Sequence, residues 1–461
     1  MIKFGTDGWR AVISDEFTFA NVEKVAKAIA LYLINHGFDS KPLIVGYDPR
    51  FLADKFAETV VKVMEQAGIN CYLTERDTPT PIVAWSVKDK KAAGAVMLTA
   101  SHNPAQYCGI KFIPDYAGPA TAKITAELQE NSNKDVDLPQ AEKKGTVERF
   151  EPRARYIEYI KSFVDLDLIR RSGLKVVYDP MYGAGRGYLD KLLEGLGCKV
   201  EAIHSERDVL FGGGSPEPTD EFLGELKKQV VARLADAGLA NDGDADRFGL
   251  VDEKGAFLHA NQVLPLVFDY LISEKGYHGS VVRSVATTHL VDRIANRHKI
   301  KLHETPVGFK YIGELMLNGD VIIGGEESGG FSIKGHIPEK DGLLANLLIV
   351  EMMARKKKPL SQIWLDLVET YGEVYTVRHS LDLAENKKQE FMARLNEETP
   401  QDLAGIKVKK INRMDGVKLI LADGSWVLVR PSGTEPIVRV YAESDKQEKL
   451  ETIVEAVKAL V

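Results

Sequence analysis

The stretch Ala92-Ala93-Gly94-Ala95-Val96-Met97-Leu98, followed by Thr99-Ala100-Ser101-His102-Asn103-Pro104, decides how the first part of the chain folds. The apolar run from Ala92 to Leu98 predicts a buried strand. Proline cannot donate a backbone hydrogen bond and disfavours helical backbone in the residue before it, so the strand ends in a loop. Because ligands of open α/β sheets gather beyond the carboxyl ends of strands, Ser101 lies where a reacting group would be displayed. A turn that only caps the loop is the alternative for this stretch taken alone.

Strand and helix patterns alternate on both sides of this stretch. Upstream, apolar segments from Leu43 to Gly46 and from Asn70 to Thr74 predict strands, and the spacing between Lys55 and Gln66 predicts a helix. This βαβ rhythm indicates largely parallel strand pairing. It recurs twice downstream, whereas the last part of the chain has strand patterns joined by hairpin turns such as Asp423-Gly424.

Four units suit the length of 461 residues, because a domain ordinarily holds about 100–200 residues. The predicted fold class is α/β, with three α/β domains that contain mixed sheets and a smaller C-terminal α+β domain. The predicted domain boundaries are 1–150, 151–255, 256–371 and 372–461.

Composition argues against several functional classes. The formal net charge of -7 disfavours a general nucleic-acid binder, which would have a basic surface. No apolar run is long enough to span a bilayer, and the first residues lack the apolar core of a signal peptide. Three scattered cysteines form neither a disulfide framework nor a metal-binding spacing: Cys71, Cys108 and Cys198. We therefore expect a cytoplasmic protein with no nucleic-acid or membrane partner.

Three aspartates occupy alternate positions after a short strand pattern: Asp242, Asp244 and Asp246. In extended backbone alternate side chains share a face, so the three carboxylates can converge on one hard cation such as magnesium. The spacing resembles an EF-hand loop, but Arg247 replaces the glycine of its sharp turn and a strand follows, which excludes that motif. A solvated acidic turn is the alternative. Repulsion among three like charges favours the metal, and the Arg247 guanidinium beside them could hold a phosphate.

A glycine-rich turn, Gly325-Glu326-Glu327-Ser328-Gly329-Gly330, follows another strand pattern. Its glycines permit close approach of the backbone to a ligand. The side chains of Glu326 and Ser328 offer acceptors and a donor for neighbouring sugar hydroxyls. An ordinary polar turn is an equal alternative for this stretch in isolation.

A hydroxyl-rich turn, Arg430-Pro431-Ser432-Gly433-Thr434-Glu435-Pro436, lies between two apolar strand patterns. Arg430 can clamp an anion with two N–H groups, and the turn around Gly433 can form an anion-binding nest with the hydroxyls of Ser432 and Thr434. The turn lacks the lysine and the following helix of a P-loop, so nucleotide binding is not expected. An ordinary hairpin is the alternative, and the arginine favours phosphate.

Two residues near Ser101 differ in their expected roles. His102 adjoins Ser101, but neighbouring side chains of extended backbone point to opposite faces, so a Ser–His pair is not expected. Lys111, on the next strand pattern, would act as an acid or base near a metal and phosphates if its pKa were displaced.

Taken in order, the motifs resemble those of the α-D-phosphohexomutases, the phosphoglucomutase and phosphomannomutase group, over essentially the whole chain. The Ser101 stretch is similar to the phosphoserine loop of that family, and the three aspartates are similar to its magnesium loop. The turns that begin at Gly325 and Arg430 are similar to its sugar-recognition and phosphate loops. The resemblance implies four domains around a central cleft, the fourth of which moves to close it.

The resemblance also implies roles for individual residues. Phosphorylated Ser101 would exchange its phosphoryl group with a hexose 1-phosphate or 6-phosphate, and magnesium would bridge that phosphate to the aspartates. Arg10 and Lys111 would transfer protons or support that transfer, and His102 would hold the phosphoserine. Glu326 and Ser328 would bind the sugar O3 and O4 hydroxyls, and Arg247 and Lys340 would contact the substrate more generally. The phosphate that is not reacting would be held by five residues: Arg430, Ser432, Gly433, Thr434 and Arg439.

The expected activity is the interconversion of glucose 1-phosphate and glucose 6-phosphate, with magnesium as cofactor and glucose 1,6-bisphosphate as intermediate and activator. Glu327 resembles the glucose-preferring members, whereas mannose-active members more often have methionine there and glucosamine enzymes have glutamine. Phosphomannomutase or phosphoglucosamine mutase activity, a phosphatase and an inactive sugar-phosphate sensor are the alternatives. The expected partner is a hexose phosphate, bound by a monomer or a homodimer.

One residue departs from the pattern that the resemblance implies. Cys108 stands before Gly109-Ile110-Lys111, where a polar or aromatic residue is expected. It adds a thiol near the site whose reactivity depends on its pKa and exposure.

Overall fold

Four β-sheets follow one another along the chain in the computed structural model, which describes residues 1–5, 7–134, 136–432 and 437–460. The first three sheets contain both parallel and antiparallel strand pairs, and the fourth is antiparallel. The predicted class, three α/β domains with mixed sheets and a smaller C-terminal domain, is confirmed. The residue boundaries of the domains stay a prediction.

The first sheet has six strands in the order β1-β5-β4-β2-β3-β6, of which β2, β3, β4 and β6 run parallel. The first strand begins at Trp9 and pairs antiparallel with β5. Pro81 lies in the first turn of the helix Thr80–Asp89, where a backbone N–H would have no partner within the helix. The elements are β1 (Trp9–Val12), α1 (Phe19–Asn35), β2 (Leu43–Tyr47), α2 (Ala53–Gln66), β3 (Cys71–Thr74), α3 (Thr80–Asp89), β4 (Gly94–Leu98), β5 (Tyr107–Pro114), α4 (Ala122–Ser132) and β6 (Val147–Phe150).

The second sheet has five strands in the order β11-β10-β9-β7-β8, with β7 parallel to both β8 and β9. A short 3₁₀ turn, Phe211–Gly213, lies in the glycine-rich loop after β8. The elements are α5 (Arg153–Lys161), α6 (Leu166–Ser172), β7 (Lys175–Asp179), α7 (Leu189–Gly195), β8 (Lys199–Ala202), α8 (Gly224–Arg233), β9 (Ala237–Asn241), β10 (Phe248–Asp252) and β11 (Phe257–Leu258).

The third sheet has four strands in the order β13-β12-β14-β15, the last of which is antiparallel. Helix α12 (Gly342–Lys356) is buried at every residue from Gly342 to Ala354, as expected for a helix that is apolar on all sides. It packs against helix α6 and strands β9 and β10 of the second domain, so it joins the two domains. The remaining elements are α9 (Ala260–Ser273), β12 (Ser280–Ser284), α10 (Leu290–His298), β13 (Leu302–Thr305), α11 (Phe309–Asn318), β14 (Val321–Glu326), β15 (Gly330–Ile333) and α13 (Leu360–Tyr371).

The fourth sheet has six strands in the order β16-β21-β20-β19-β18-β17. The predicted hairpin at Asp423-Gly424 joins β19 to β20, and Gly424 has the left-handed φ of +92° that such a turn favours. The elements are β16 (Tyr375–Asp382), α14 (Glu385–Glu397), β17 (Asp402–Leu403), β18 (Ile406–Asn412), β19 (Val417–Leu421), β20 (Trp426–Pro431), β21 (Ile437–Ser444) and α15 (Gln447–Lys458).

The carboxyl ends of three strands, one from each of the first three domains, hold predicted site residues. Ser101 lies in the loop after β4, Asp242 directly follows β9, and Glu326 is the last residue of β14. Apolar side chains of the same three domains form one continuous core, and this shared core fixes the positions of the three strand ends relative to one another. Within the part of the chain that the structure describes, no helix combines the length and apolar character needed to cross a membrane.

Candidate active site

The Ser101 loop has an unusual backbone conformation. Ser101 is almost fully buried and has a φ of +53°, which is in the left-handed region that few residues other than glycine adopt. Its N–H donates to Thr99 Oγ1 (2.8 Å), and its carbonyl oxygen accepts from the Arg50 guanidinium (2.7 Å). A conformation of this kind persists where the surrounding structure fixes it.

Ser101 meets the first aspartate across the boundary between the first two domains. Ser101 Oγ donates to Asp242 Oδ2 at 2.8 Å. The two loops also touch through their backbones, because a β-carbon on Gly243 would lie 2.6 Å from the Ser101 carbonyl oxygen. Glycine at position 243 is therefore what allows the serine and the aspartates to approach this closely.

The three aspartates form a buried cluster. Asp242, Asp244 and Asp246 are each fully buried, and one carboxylate oxygen from each lies within 4.8 Å of the others. Oδ1 of Asp244 and Oδ1 of Asp246 have no hydrogen-bond partner among the described residues. Burial, and then the charges of its two neighbours, raise the pKa of Asp242 well above its usual range. Oxygen ligands with spare acceptor capacity and mutual repulsion fit a divalent cation such as magnesium.

Two lysines from different domains contact the same cluster. Lys111 Nζ lies 2.9 Å from Asp244, 3.1 Å from Asp246 and 2.9 Å from Asp7, and Lys340 Nζ lies 2.6 Å from Asp246. Burial alone would lower the pKa of Lys111, but the three carboxylates outweigh it and raise that pKa well above its usual value. The Lys111 ammonium group therefore donates to the carboxylates of Asp244 and Asp246.

The expectation that Ser101 and His102 point to opposite faces is wrong. His102 Nδ1 lies 3.4 Å from Ser101 Oγ, because the left-handed backbone of Ser101 is not the extended backbone that the expectation assumed. Burial, together with the charges of Arg247 and Arg10, lowers the pKa of His102 well below its usual value. The ring is therefore neutral beside the hydroxyl.

Two predicted arginines lie at this cluster as well. Arg10 donates to Asn103 Oδ1 (2.7 Å) and to Asp7 (3.2 Å), which places it beside the Ser101 loop. The Arg247 backbone N–H donates to Asp242 Oδ1 (3.0 Å). Arg247 Nε is buried without a hydrogen-bond partner among the described residues, so a donor remains for an anion.

The predicted sugar turn connects β14 to β15. Glu326 accepts from the Gly308 N–H (2.6 Å), and burial followed by the charge of Glu327 raises its pKa to about 7. Ser328 lies in the turn itself. Glu327 accepts from the hydroxyls of Ser284 (3.0 Å) and Thr287 (3.4 Å), so its carboxylate is held by its own domain.

The predicted phosphate turn of the fourth domain is described in part. Arg430 on β20 lies directly opposite Arg439 on β21, and its Nε donates to Asp415 (2.7 Å). The Asp415 carboxylate offsets the charge of Arg430 in this cross-strand pair of like charges. Ser432 is buried, and its carbonyl oxygen accepts from Lys388. The predicted residues Gly433 and Thr434 lie outside the described residues.

Sequence reasoning missed several residues that complete the site. Thr80 donates to Asp244 (2.6 Å), Ser215 donates to the His102 carbonyl (2.6 Å), and Asp7 joins Lys111 to Arg10. Arg50 could have been predicted to lie near Ser101, because it follows the carboxyl end of β2 and β2 is the neighbour of β4 in the sheet. The thiol of Cys108 is fully buried and burial raises its pKa, so it is not a reactive group.

Comparison with known proteins adds four family matches. Models described as "Phosphoglucomutase/phosphomannomutase, alpha/beta/alpha" domains I, II and III match residues 1–137, 154–255 and 259–371, and the C-terminal domain model of the same group matches residues 387–460.

Individual relatives match along nearly their whole length. A "Phosphoglucomutase/phosphomannomutase" of Thermococcus kodakarensis is 33% identical, over 97% of this chain and 95% of its own. A "Probable phosphoglucosamine mutase" of Methanosphaera stadtmanae is 33% identical, over 98% of this chain and 96% of its own. The crystal structure of a candidate phosphomannomutase from Thermus thermophilus is 35% identical with a TM-score of 0.88, and the match covers 100% of this chain and 98% of that one.

Proposed function

The chain belongs to the phosphoglucomutase/phosphomannomutase family of phosphohexomutases, and from that membership we propose that it interconverts glucose 1-phosphate and glucose 6-phosphate. The observation that carries the proposal is the 2.8 Å contact of Ser101 Oγ with Asp242, beside two aspartates that have free carboxylate oxygens. A nucleophilic hydroxyl next to a cation site is the arrangement that phosphoryl transfer requires.

The proposed reaction has two transfers. In the first, the bond from phosphorus to Ser101 Oγ breaks and a bond from phosphorus to the sugar O6 forms, while the proton of the O6 hydroxyl is transferred, in the net reaction, to Ser101 Oγ. The product is glucose 1,6-bisphosphate, which turns within the site. In the second transfer the bond from phosphorus to the sugar O1 breaks and a bond from phosphorus to Ser101 Oγ forms, the Ser101 hydroxyl proton is transferred in the net reaction to O1, and glucose 6-phosphate leaves.

The aspartates suit a magnesium ion, which when bound would neutralise charge on the transferring phosphoryl group. Asp242, Asp244, Asp246 and the phosphate of Ser101 would hold it. Lys111 and Arg10 carry out proton transfer or support it, and His102 holds the serine side chain. The ammonium group of Lys111 is held in place by the carboxylates of Asp7, Asp244 and Asp246.

The remaining predicted residues bind the substrate in this proposal. Glu326 and Ser328 take the sugar hydroxyls, and Arg247 and Lys340 contact the substrate near the aspartates. The phosphate that is not reacting is held by the fourth domain, through Arg430, Ser432, Gly433, Thr434 and Arg439. The opposed arginines of β20 and β21 support this assignment, because they bring two guanidinium groups to the same turn. The monomeric or dimeric state and the cytoplasmic location stay predictions.

The choice of glucose rests on Glu327, and the names of the relatives include mannose and glucosamine enzymes. A decisive assay supplies the 1-phosphates of glucose, mannose and glucosamine in parallel, each with magnesium and its 1,6-bisphosphate. We expect the highest kcat/KM for glucose 1-phosphate and little inorganic phosphate. A preference for glucosamine 1-phosphate would overturn the glucose assignment, dominant phosphate release would indicate a phosphatase, and no turnover would indicate a sensor. Ser101→Ala is expected to remove turnover with all three sugars.

A further inference from the structure

One buried arginine holds the whole Ser101 loop. Arg50 is fully buried, and each of its five N–H donors has an acceptor. Nε donates to Asp48 Oδ2 at 3.0 Å. The other four donate to carbonyl oxygens of the loop between β4 and β5 and of the first residue of β5: Ser101 (2.7 Å), Asn103 (2.6 Å), Pro104 (2.8 Å) and Tyr107 (2.9 Å).

Three of these carbonyl groups belong to the loop, and the fourth belongs to Tyr107, the first residue of β5. The planar guanidinium group has five donors in fixed directions, so it can donate to all four carbonyl oxygens and to Asp48. The ammonium group of a lysine has only three donors and cannot form as many hydrogen bonds. A carbonyl oxygen that loses its hydrogen-bond partner inside the fold destabilises the folded state, so the conformation of the loop depends on the guanidinium.

Asp48 and Thr99 restrain the backbone N–H of Ser101. Thr99 Oγ1 donates to Asp48 Oδ2 (2.6 Å) and accepts from the Ser101 N–H (2.8 Å). The N–H of Ser101 is thus fixed through Asp48, and its carbonyl oxygen is fixed by Arg50. Both polar groups of a residue in a left-handed conformation are restrained by one ion pair at the end of the neighbouring strand β2.

The second domain covers the other side of the guanidinium. The Phe211 ring lies 4.9 Å from Arg50 Cζ, measured to its centroid, and Ser215 of the same loop donates to the His102 carbonyl. The loop that carries the aspartates reaches Ser101 from that domain as well. Arg50 therefore lies where both domains meet behind the serine.

We propose that Arg50 is a positioning residue, which keeps Ser101 Oγ aimed at the aspartates in both its hydroxyl and its phosphorylated state. The proposal rests on the proposed function. Ser101 gains and loses roughly two negative charges in each cycle, and a loop that was not restrained would shift with that charge. A displacement of about 1 Å can cost about 100-fold in rate, so the restraint acts on the transfer step.

The test is Arg50→Lys, which keeps the charge and removes the fork. We expect kcat to fall about 100-fold while KM for glucose 1-phosphate changes less than about threefold, since the sugar contacts are untouched. We also expect more inorganic phosphate released per mutase turnover, and faster amide exchange confined to residues 101–107.

The matched control is Arg283→Lys, which changes another buried arginine that is paired with carboxylates. This variant should lose stability without changing phosphate release or amide exchange at residues 101–107.

Thr99→Val, a replacement of the same shape, is the second variant and decides the matter if Arg50→Lys does not fold. It should lower kcat and speed exchange at 101–107 in the same direction. Wild-type kcat together with wild-type exchange in these variants would overturn the role of Arg50. A wild-type protein without mutase activity would instead refute the proposed function, and the exchange measurement would still report whether Arg50 holds the loop.

Discussion

Gly243 and Ser101 are in direct backbone contact across two domains, since a β-carbon on Gly243 would lie 2.6 Å from the Ser101 carbonyl oxygen. Gly243→Ala should therefore push the aspartate loop away from the serine. We expect kcat to fall about 10- to 100-fold, measured by steady-state kinetics with glucose 1-phosphate.

Gly195→Ala is the control for this change. Gly195 ends helix α7, and a β-carbon there would have no atom within 4 Å. We expect unchanged kcat and a melting temperature that is equal or slightly higher, because alanine favours helix over glycine. A Gly243→Ala enzyme with the wild-type kcat would contradict the contact.

Magnesium should stabilise the wild-type protein through the aspartate cluster. Asp244→Asn removes one of three charges without changing the shape of the side chain, and we expect it to abolish most of the rise in melting temperature that magnesium alone produces. Asp167→Asn, at an exposed surface ion pair, is the matched control and should keep the full rise. An undiminished rise in Asp244→Asn would mean that the ion binds elsewhere.

The parts of the site that could be predicted from the sequence are those with a local signal. Ser101, Asp242 and Glu326 each follow or end a short apolar strand, and the carboxyl ends of such strands meet at one side of the fold. Helix α12 was predictable because an apolar helix without a polar face belongs in a core.

Contacts between distant segments had no such signal. The Lys340 side chain reaches Asp246 from 94 residues away, and nothing in either stretch indicates that pairing. Strand β15 was not predicted, because it has only four residues and is defined by its antiparallel partner β14. Helix α11 was also not predicted, although Phe309, Ile312 and Met316 have helical spacing. The conformation of Ser101 was missed for the same reason, since Arg50 and Gly243 impose it from outside the stretch.

Arg430 should contribute to substrate binding more than to the transfer step. Arg430→Met removes a charge-assisted clamp that is worth about 1.5–3 kcal/mol, so we expect KM for glucose 1-phosphate to rise about 10- to 100-fold with a smaller change in kcat. Lys407→Met, which removes an exposed positive charge from the same domain, is the control and should leave KM unchanged. An unchanged KM in Arg430→Met would contradict the proposal that the fourth domain binds the phosphate through this residue.

A buried lysine joins the third and fourth domains away from the aspartates. Lys418 Nζ donates to the Val285 carbonyl (2.7 Å) and lies 2.9 Å from His289 Nε2 and 3.8 Å from the centroid of the Trp426 ring. Burial, and then the charge of Arg283, lower the pKa of Lys418 to about 7, although Glu304 opposes the shift. The unfolded chain therefore binds more protons at this position than the folded protein between pH 7 and the ordinary lysine pKa of 10.5.

The sign of the effect follows from this difference in bound protons. Stability rises with pH wherever the unfolded state binds more protons, so the charging of Lys418 opposes folding fully below about pH 7 and ceases to do so above pH 10.5. We expect the free energy of unfolding of the wild type, relative to Lys418→Met, to increase between pH 7 and 10 by up to about 1.4 kcal/mol per pH unit. Denaturant titrations without magnesium measure it, with Lys407→Met as the exposed control. Parallel pH profiles for wild type and Lys418→Met would show that the Trp426 ring and Glu304 keep the ammonium charged throughout.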